Sequence, residues 1–411
     1  MTAPDRTGST NPYLDVLRVP GAAAFCAAAT LARLPMAMIS LGALLLVSTS
    51  GRSFTLAGLV SGATALGQAA GSPPLGRLVD RLGQTRVLGP QALVNAGLLV
   101  ALVVATRAGA AGGVLVAVAT LVGATAPQVG ALARARWGRL LDGDPRLETA
   151  LALEAVIEEG IFVTGPLLVA GCVALLGPPG ALLAAAGTTV VGSALFLAQR
   201  STEPAPHPPR TDGAAHPPAL RSPGLVVLVA AFTAMGACFG FVEVGVVALA
   251  DDAGRPGAAG LVLGLWTLGS LVSGVVYGAR AWTTAPARRL AVSAVALAAG
   301  ALAVAVAGAT TSGTTALVAV TAALVVAGAA NAPTIITGNA LVPDVVPATA
   351  TTEAYTWLNV TIFAGAAVGA AAGGAVADRS GAAGSLAWAT VAAALTAVVA
   401  VAGRGRLVRR T

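Results

Sequence analysis

Apolar residues run in blocks of about 20 along the whole chain, broken by Gly, Pro and short clusters of charge. A block of that length crosses a ~30 Å hydrocarbon layer at ~1.5 Å per residue, and in lipid only a helix satisfies its own backbone polar groups. The breaks predict spans near 19–47, 54–75, 87–106, 110–133, 148–175 and 179–198, then 223–249, 257–279, 290–310, 314–338, 351–375 and 383–402. Between the two sets of six lies RSTEPAPHPPRTDGAAHPPALRSP, a Pro-rich polar stretch that reads as an irregular linker. The expected fold is an all-α membrane protein: twelve transmembrane helices in two pseudo-symmetric six-helix bundles, residues 1–198 and 223–411, joined by a linker over 199–222. The first span is too long for the core of a cleaved signal and is expected to stay attached.

Composition sharpens this picture. The chain is 56% hydrophobic and only 10% charged, far below the roughly one-quarter charged content of soluble domains. All 24 basic residues are Arg, which excludes a Walker A lysine and a lysine Schiff base. The basic excess sits in short loops without interleaved aromatics, so nucleic acid is not an expected partner. Cys26, Cys172 and Cys238 lie in apolar runs at no metal spacing, and both histidines, His207 and His216, fall in the linker. No nucleophile, base or metal constellation is visible, so neither an enzyme nor a metal or cofactor site is expected. With the amino terminus inside, 19 arginines fall on one side and Arg52, Arg107, Arg255 and Arg379 on the other, leaving Arg33 within the membrane. The positive-inside rule then puts both termini and the linker in the cytoplasm, in a plasma membrane.

Displacing the sequence against itself by 202 residues lays Leu66, Gly67, Gly76, Arg86 and Leu88 on Leu268, Gly269, Gly278, Arg288 and Leu290. These matches surround the junctions after spans two and eight, where a duplicated six-helix unit would put them.

The first of those junctions, GRLVDRLGQTRVL, carries Arg77, Asp80, Arg81 and Arg86 in an otherwise apolar neighbourhood. Topology accounts for the arginines but not for Asp80 or its flanking glycines. Gly76 is expected to let backbones approach, Asp80 to accept from arginines or a helix N-terminus, Gly83 to break the helix and Arg86 to open the next. The segment resembles the signature of the major facilitator superfamily, Gly-x-Leu-Ala-Asp-Arg-x-Gly-Arg-Lys-x-x-Leu. Gly76, Leu78, Asp80, Arg81, Gly83 and Leu88 match, while Gln84 and Thr85 replace the two basic positions. The resemblance implies an alternating-access transporter in which this loop helps latch the two halves on the cytoplasmic side.

Ionisable groups inside spans are costly and by default mark pathways or relays. Arg33 in span one, Glu154, Glu158 and Glu159 in span five, and Glu243 in span seven stand clear of the helix ends. Glu154 and Glu158 share a helix face, and Glu159 is turned ~100° from Glu158. Counted from the span ends, Glu158 and Arg33 lie at comparable depths of ~15 and ~21 Å, which makes them candidate partners. Two readings stay open: proton exchange or contact with a cationic substrate, and a permanent structural ion pair. Glu243 lies on the outer half of span seven, a helix that lines the cavity in the resembled family.

Gly165 and Pro166 resemble the end of the span-five antiporter motif of proton-coupled drug exporters, although Val169 and Ala170 stand where a glycine pair belongs. Gly160 and Gly171 are candidates for that packing role. Span four is read as one helix containing Pro127 and Gln128 and ending in ARARW. Glu353 reads as a helix cap, and Asn331 and Asn339 as polar groups of span ten.

The functional expectation is a secondary transporter, coupled to protons, that exports small, moderately hydrophobic neutral or cationic compounds. It would act as a monomer in the bilayer, with the proton gradient as energy source and no cofactor. The alternatives are a nutrient facilitator or importer of the same fold, and a non-transporting membrane sensor.

Overall fold

The computed structural model describes residues 12–206, 219–280, 282–347 and 350–407. Most of the linker, with His207 and His216, lies outside the described residues. Helices follow the apolar blocks: α1 (Pro12–Leu17), α2 (Ala22–Ser48), α3 (Phe54–Leu82), α4 (Gln84–Arg107), α5 (Gly112–Ala124), α6 (Val129–Leu140), α7 (Arg146–Leu176) and α8 (Pro179–Ala198). After the linker come α9 (Pro223–Asp252), α10 (Ala258–Gly278), α11 (Pro286–Thr310), α12 (Gly313–Gly328), α13 (Asn331–Ala340), α14 (Val342–Val345) and α15 (Thr351–Ala402).

Local chemistry sets the ends. Ser53 and Ser222 accept from the backbone N–H groups of Leu56 and Leu225, capping α3 and α9. Asp144, in the turn before α7, accepts from the Arg146 guanidinium and backbone N–H, which hold its carboxyl below the usual carboxylate range.

Among the described residues, ten segments are long and apolar enough to cross a membrane. Two more crossings complete the twelve. α3 spans 29 residues, but the Gly, Ser, Thr and Gln residues along it dilute its hydropathy, and α15 divides at Gly381, whose φ of 67° is left-handed. The expected twelve-helix architecture is therefore present.

Three expectations are corrected. Span four is not one helix: α5 and α6 are separated at residues 125–128, because Pro127 donates no hydrogen bond and disfavours helical geometry at Ala126. Span ten breaks likewise at residues 329–330, one turn before Pro333. Displaced by 202, residues 125–128 fall on 327–330, so the duplicated halves share a broken fourth span. The charged junction after span two is also hardly a loop. α3 continues to Leu82 and α4 starts at Gln84, with only Gly83, at φ 89°, between them.

We call the side carrying the α3–α4 junction and the linker the linker face, and the opposite side the far face. α1 to α8 pack mainly with one another, as do α9 to α15. The halves meet through α3 against α15 and α7 against α10.

Candidate functional site

Within the first half, Arg33 and Glu154 form an ion pair of 2.7 Å at 3% and 1% exposure. The same carboxylate accepts from the Trp137 indole at 2.9 Å and from the Cys26 thiol at 3.7 Å. Both partners of the charge pair are thus surrounded, although Arg33 Nη1 has no hydrogen-bond partner. The partnership expected from depth, Arg33 with Glu158, is replaced by Arg33 with Glu154. Glu158 instead pairs with Arg134 at 3.0 Å, with both side chains more than a third exposed. Glu159 is exposed and makes no ion pair among the described residues.

The other intramembrane carboxylate joins the halves. Glu243 on α9 accepts from the Ser40 hydroxyl of α2 at 2.9 and 3.2 Å, and Ser40 shares a 2.8 Å hydrogen bond with Ser61 of α3. These three residues lie seven to nine positions from the far-face ends of their helices, about 10–14 Å. Among the described residues Glu243 makes no ion pair. Ser40 and Ser61 were not singled out from sequence, since single serines in apolar spans carry no distinctive signal.

Around this node the far face is shut. Gly58 of α3 meets the backbone of α15 so closely that a Cβ would lie 2.1 Å from the Ala370 carbonyl. Gly260 of α10 meets α7 in the same way, 2.3 Å from the Pro166 carbonyl. Asp378 of α15 caps α3 across the divide: the backbone N–H groups of Phe54 and Thr55 donate to it at 2.7 and 2.8 Å, and the Thr55 hydroxyl at 2.5 Å. Asp378, Arg379 and Gly381 repeat the spacing of Asp80, Arg81 and Gly83, with Gly374 in the place of Gly76. That repetition was a legible sequence signal for this second latch.

On the linker face the signature segment is disengaged. Asp80, Arg81 and Arg86 are exposed, and none of them forms an ion pair among the described residues. Gly76, expected to admit a close backbone, has nothing within 4 Å of where a Cβ would stand. Gln84 and Thr85 replace the family's basic pair but are not idle. Gln84 accepts from the buried Arg136 at 2.9 Å, and Thr85 donates through N–H and hydroxyl to Glu203 at 2.8 and 2.5 Å. Arg136, fully buried, also donates to the Phe196 and Gln199 carbonyls that end α8, and its guanidinium lies 3.7 Å from the Phe196 ring centroid. Among the described residues every hydrogen bond between the halves lies towards the far face, so this state is closed there and unlatched on the linker face.

Gly165 and Pro166 sit at the meeting of three helices, with Gly165 against Ala37 of α2 and the Pro166 carbonyl against α10. Gly160 and Gly171 do not take the role suggested for them, because no neighbour lies within 4 Å of a Cβ at either. Glu353 accepts from the Ala219 N–H and the Trp357 indole, tying the start of α15 to the end of the linker. Asn331 is buried with its Oδ1 unpartnered.

Twelve crossings in two halves, a duplicated broken span and closure on one face only define a transporter that works by alternating access. The family model described as Major Facilitator Superfamily matches residues 23–369, and the chain belongs to that superfamily. Its members are membrane transporters of small molecules, not enzymes. No curated protein matches the chain. Among solved structures, the nucleoside transporter NupG is similar at TM-score 0.71 and 14% identity, covering 94% of this chain and 98% of that one. A bacterial homologue of the iron transporter ferroportin in an inward-facing state gives 0.71 and 14%, covering 94% and 99%. An auto-inhibited peptide transporter of the POT family gives 0.69 and 15%, covering 95% and 98%. These likenesses carry the fold.

Proposed function

We propose that this chain exports small, moderately hydrophobic neutral or cationic compounds in exchange for protons, with Glu243 as the coupling group. The observation that carries the reading is a carboxylate without an ion-pair partner, set in the closed contact between the halves and bonded by Ser40 of the opposite half. A bare carboxylate held in such a contact costs several kcal/mol, of order ~3 or more. A proton removes that cost, so far-face closure and proton uptake go together. With the far face open, Glu243 takes its proton from that side. With it closed, Glu243 as a residue is only partly buried, and the proton leaves towards the linker side.

The remaining residues divide by role. The Arg33–Glu154 pair, held by Trp137, fixes α2, α6 and α7 as one block. The half-exposed Glu158–Arg134 pair and Glu159 face entering cargo, and their acidic balance favours cations and neutral molecules over anions. Asp80 and Arg81 form the linker-face latch in the opposite state, as Asp378 does on the far face in this one. The linker face is cytoplasmic because the arginines concentrate there, and the single chain is the unit of function in a plasma membrane.

The test uses purified protein in proteoliposomes with an imposed pH gradient and a panel of cationic, neutral and anionic compounds. The expected result is proton counterflow driven by a cationic or neutral compound, abolished by Glu243→Gln while substrate–substrate exchange continues. Transport without proton flux, or normal coupling in the variant, would refute it.

A further inference from the structure

The second half carries a feature that the transport cycle does not use. A cleft of ≈ 410 Å³ opens where the linker-face ends of α10 and α11 meet α13. Its polar end is formed by Tyr277, Trp282, Arg288 and Arg289, and its apolar end by Val292 and Pro333, among others. Val292 is 63% exposed, so the apolar end continues onto the outer surface of the helix bundle.

Charge at the polar end is one-sided. No acidic residue occurs anywhere from position 253 to 343, while Arg280, Arg288 and Arg289 stand within ten residues of one another. None of the three is in an ion pair among the described residues. Their setting is built rather than loose. Arg289 donates to the Tyr277 hydroxyl at 3.1 Å, and that hydroxyl shares a 2.8 Å hydrogen bond with Thr337 of α13. The Arg289 guanidinium lies 5.6 Å from the Trp282 ring centroid and 5.7 Å from that of Tyr277, and Arg280 lies 5.0 Å from Trp282. The Trp282 indole donates to the Tyr277 carbonyl at 2.9 Å, which fixes the aromatic wall. Arg289 Nε is buried and has no partner.

Positive-inside topology explains arginines at this depth, but not an unpartnered guanidinium nitrogen on the wall of an amphipathic cleft. A ligand matching the cleft carries an anionic group for the arginines and a hydrocarbon part for Val292 and Pro333. At the edge of a bilayer the molecule with that construction is an anionic phospholipid. Interfacial Trp and Tyr suit the level of its headgroup, and basic clefts between membrane helices bind such headgroups. We propose that this cleft is a binding site for an anionic phospholipid, with the phosphodiester against Arg288 and Arg289 and one acyl chain along Val292. The inference is independent of the proton-coupling reading.

The test places purified full-length protein in nanodiscs of phosphatidylcholine carrying either dibrominated phosphatidylglycerol or dibrominated phosphatidylcholine, and follows tryptophan fluorescence. The Trp282→Phe variant isolates the contribution of Trp282. Expected is quenching of the Trp282 component several-fold stronger with brominated phosphatidylglycerol, and loss of about fivefold in that preference for each of Arg288→Gln and Arg289→Gln. Arg107→Gln, a charge change on the far face, is expected to leave it intact. Inorganic phosphate added to the phosphatidylglycerol nanodiscs separates the two sources of the anion. Quenching insensitive to millimolar phosphate supports the lipid, while its reversal would assign a soluble anion and overturn the proposal. Equal quenching by both brominated lipids, or an unchanged preference in the doubly substituted protein, would also overturn it. Should an arginine variant fail to fold, Tyr277→Phe, which removes the hydroxyl shared by Arg289 and Thr337 and leaves both arginines in place, must still change the preference if the site is real.

Discussion

Glu154 shows how much one turn of helix decides. Depth along the spans was legible from sequence, but the ends of apolar runs are uncertain by several residues, which is a full turn and 5 to 6 Å. Glu154 and Glu158 share a face, so sequence could not choose between them. The choice is made by α6, whose Trp137 reaches Glu154 and whose Arg134 takes Glu158. Because the Arg33–Glu154 pair is fully buried, Glu154→Ala is expected to destabilise the protein by about 3 to 5 kcal/mol, seen as a lowered melting temperature in detergent. Replacing both partners with leucine is expected to recover most of that loss and to preserve transport, since apolar substitutes for a buried pair are often neutral. Transport abolished in a well-folded double variant would make the pair part of the coupling chemistry. Ser40 illustrates the opposite limit: its partner Glu243 lies about 200 residues away, and no local pattern announces the contact.

At the scale of helices, the twelve crossings follow from run length, although α3 and α6 run seven residues beyond the ends expected at 75 and 133. The breaks in the fourth and tenth spans do not, because both lie inside continuous apolar runs where hydropathy is blind to a missing backbone donor. The helix contacts that close the far face follow from small residues at particular positions, and the chain's Ala and Gly richness hides which ones matter. Gly58→Val is a direct probe, since its side chain would overlap the α15 backbone. The variant is expected to fold, to remain open on the far face and to lose transport, read as labelling of a cysteine placed at Thr55. Asp378→Ala removes a cap that bridges the halves. It is expected to weaken far-face closure by about 1 kcal/mol, roughly fivefold in population, with little change in melting temperature. An unchanged distribution of conformers would show that the glycine contacts alone hold the closure.

Across the whole molecule, two segments of similar sequence stand on opposite faces, with the Glu243 carboxylate between them. The far-face latch is engaged and the linker-face latch is free, so the structure represents one end of the cycle. The equilibrium between the two ends should therefore respond to pH through Glu243. On the proposed function, protonation is expected to favour the far-face-closed state and ionisation to disfavour it. The most direct measurement is the distance between nitroxides at Arg107→Cys and Arg255→Cys, on the far ends of the two halves, in nanodiscs after replacement of the three native cysteines. The expected result is a shorter distance as pH falls and a longer one as it rises, with Glu243→Gln held at the short distance at every pH. A distance distribution that ignores pH in the parent protein, or that shifts equally in the Glu243→Gln variant, would contradict the account.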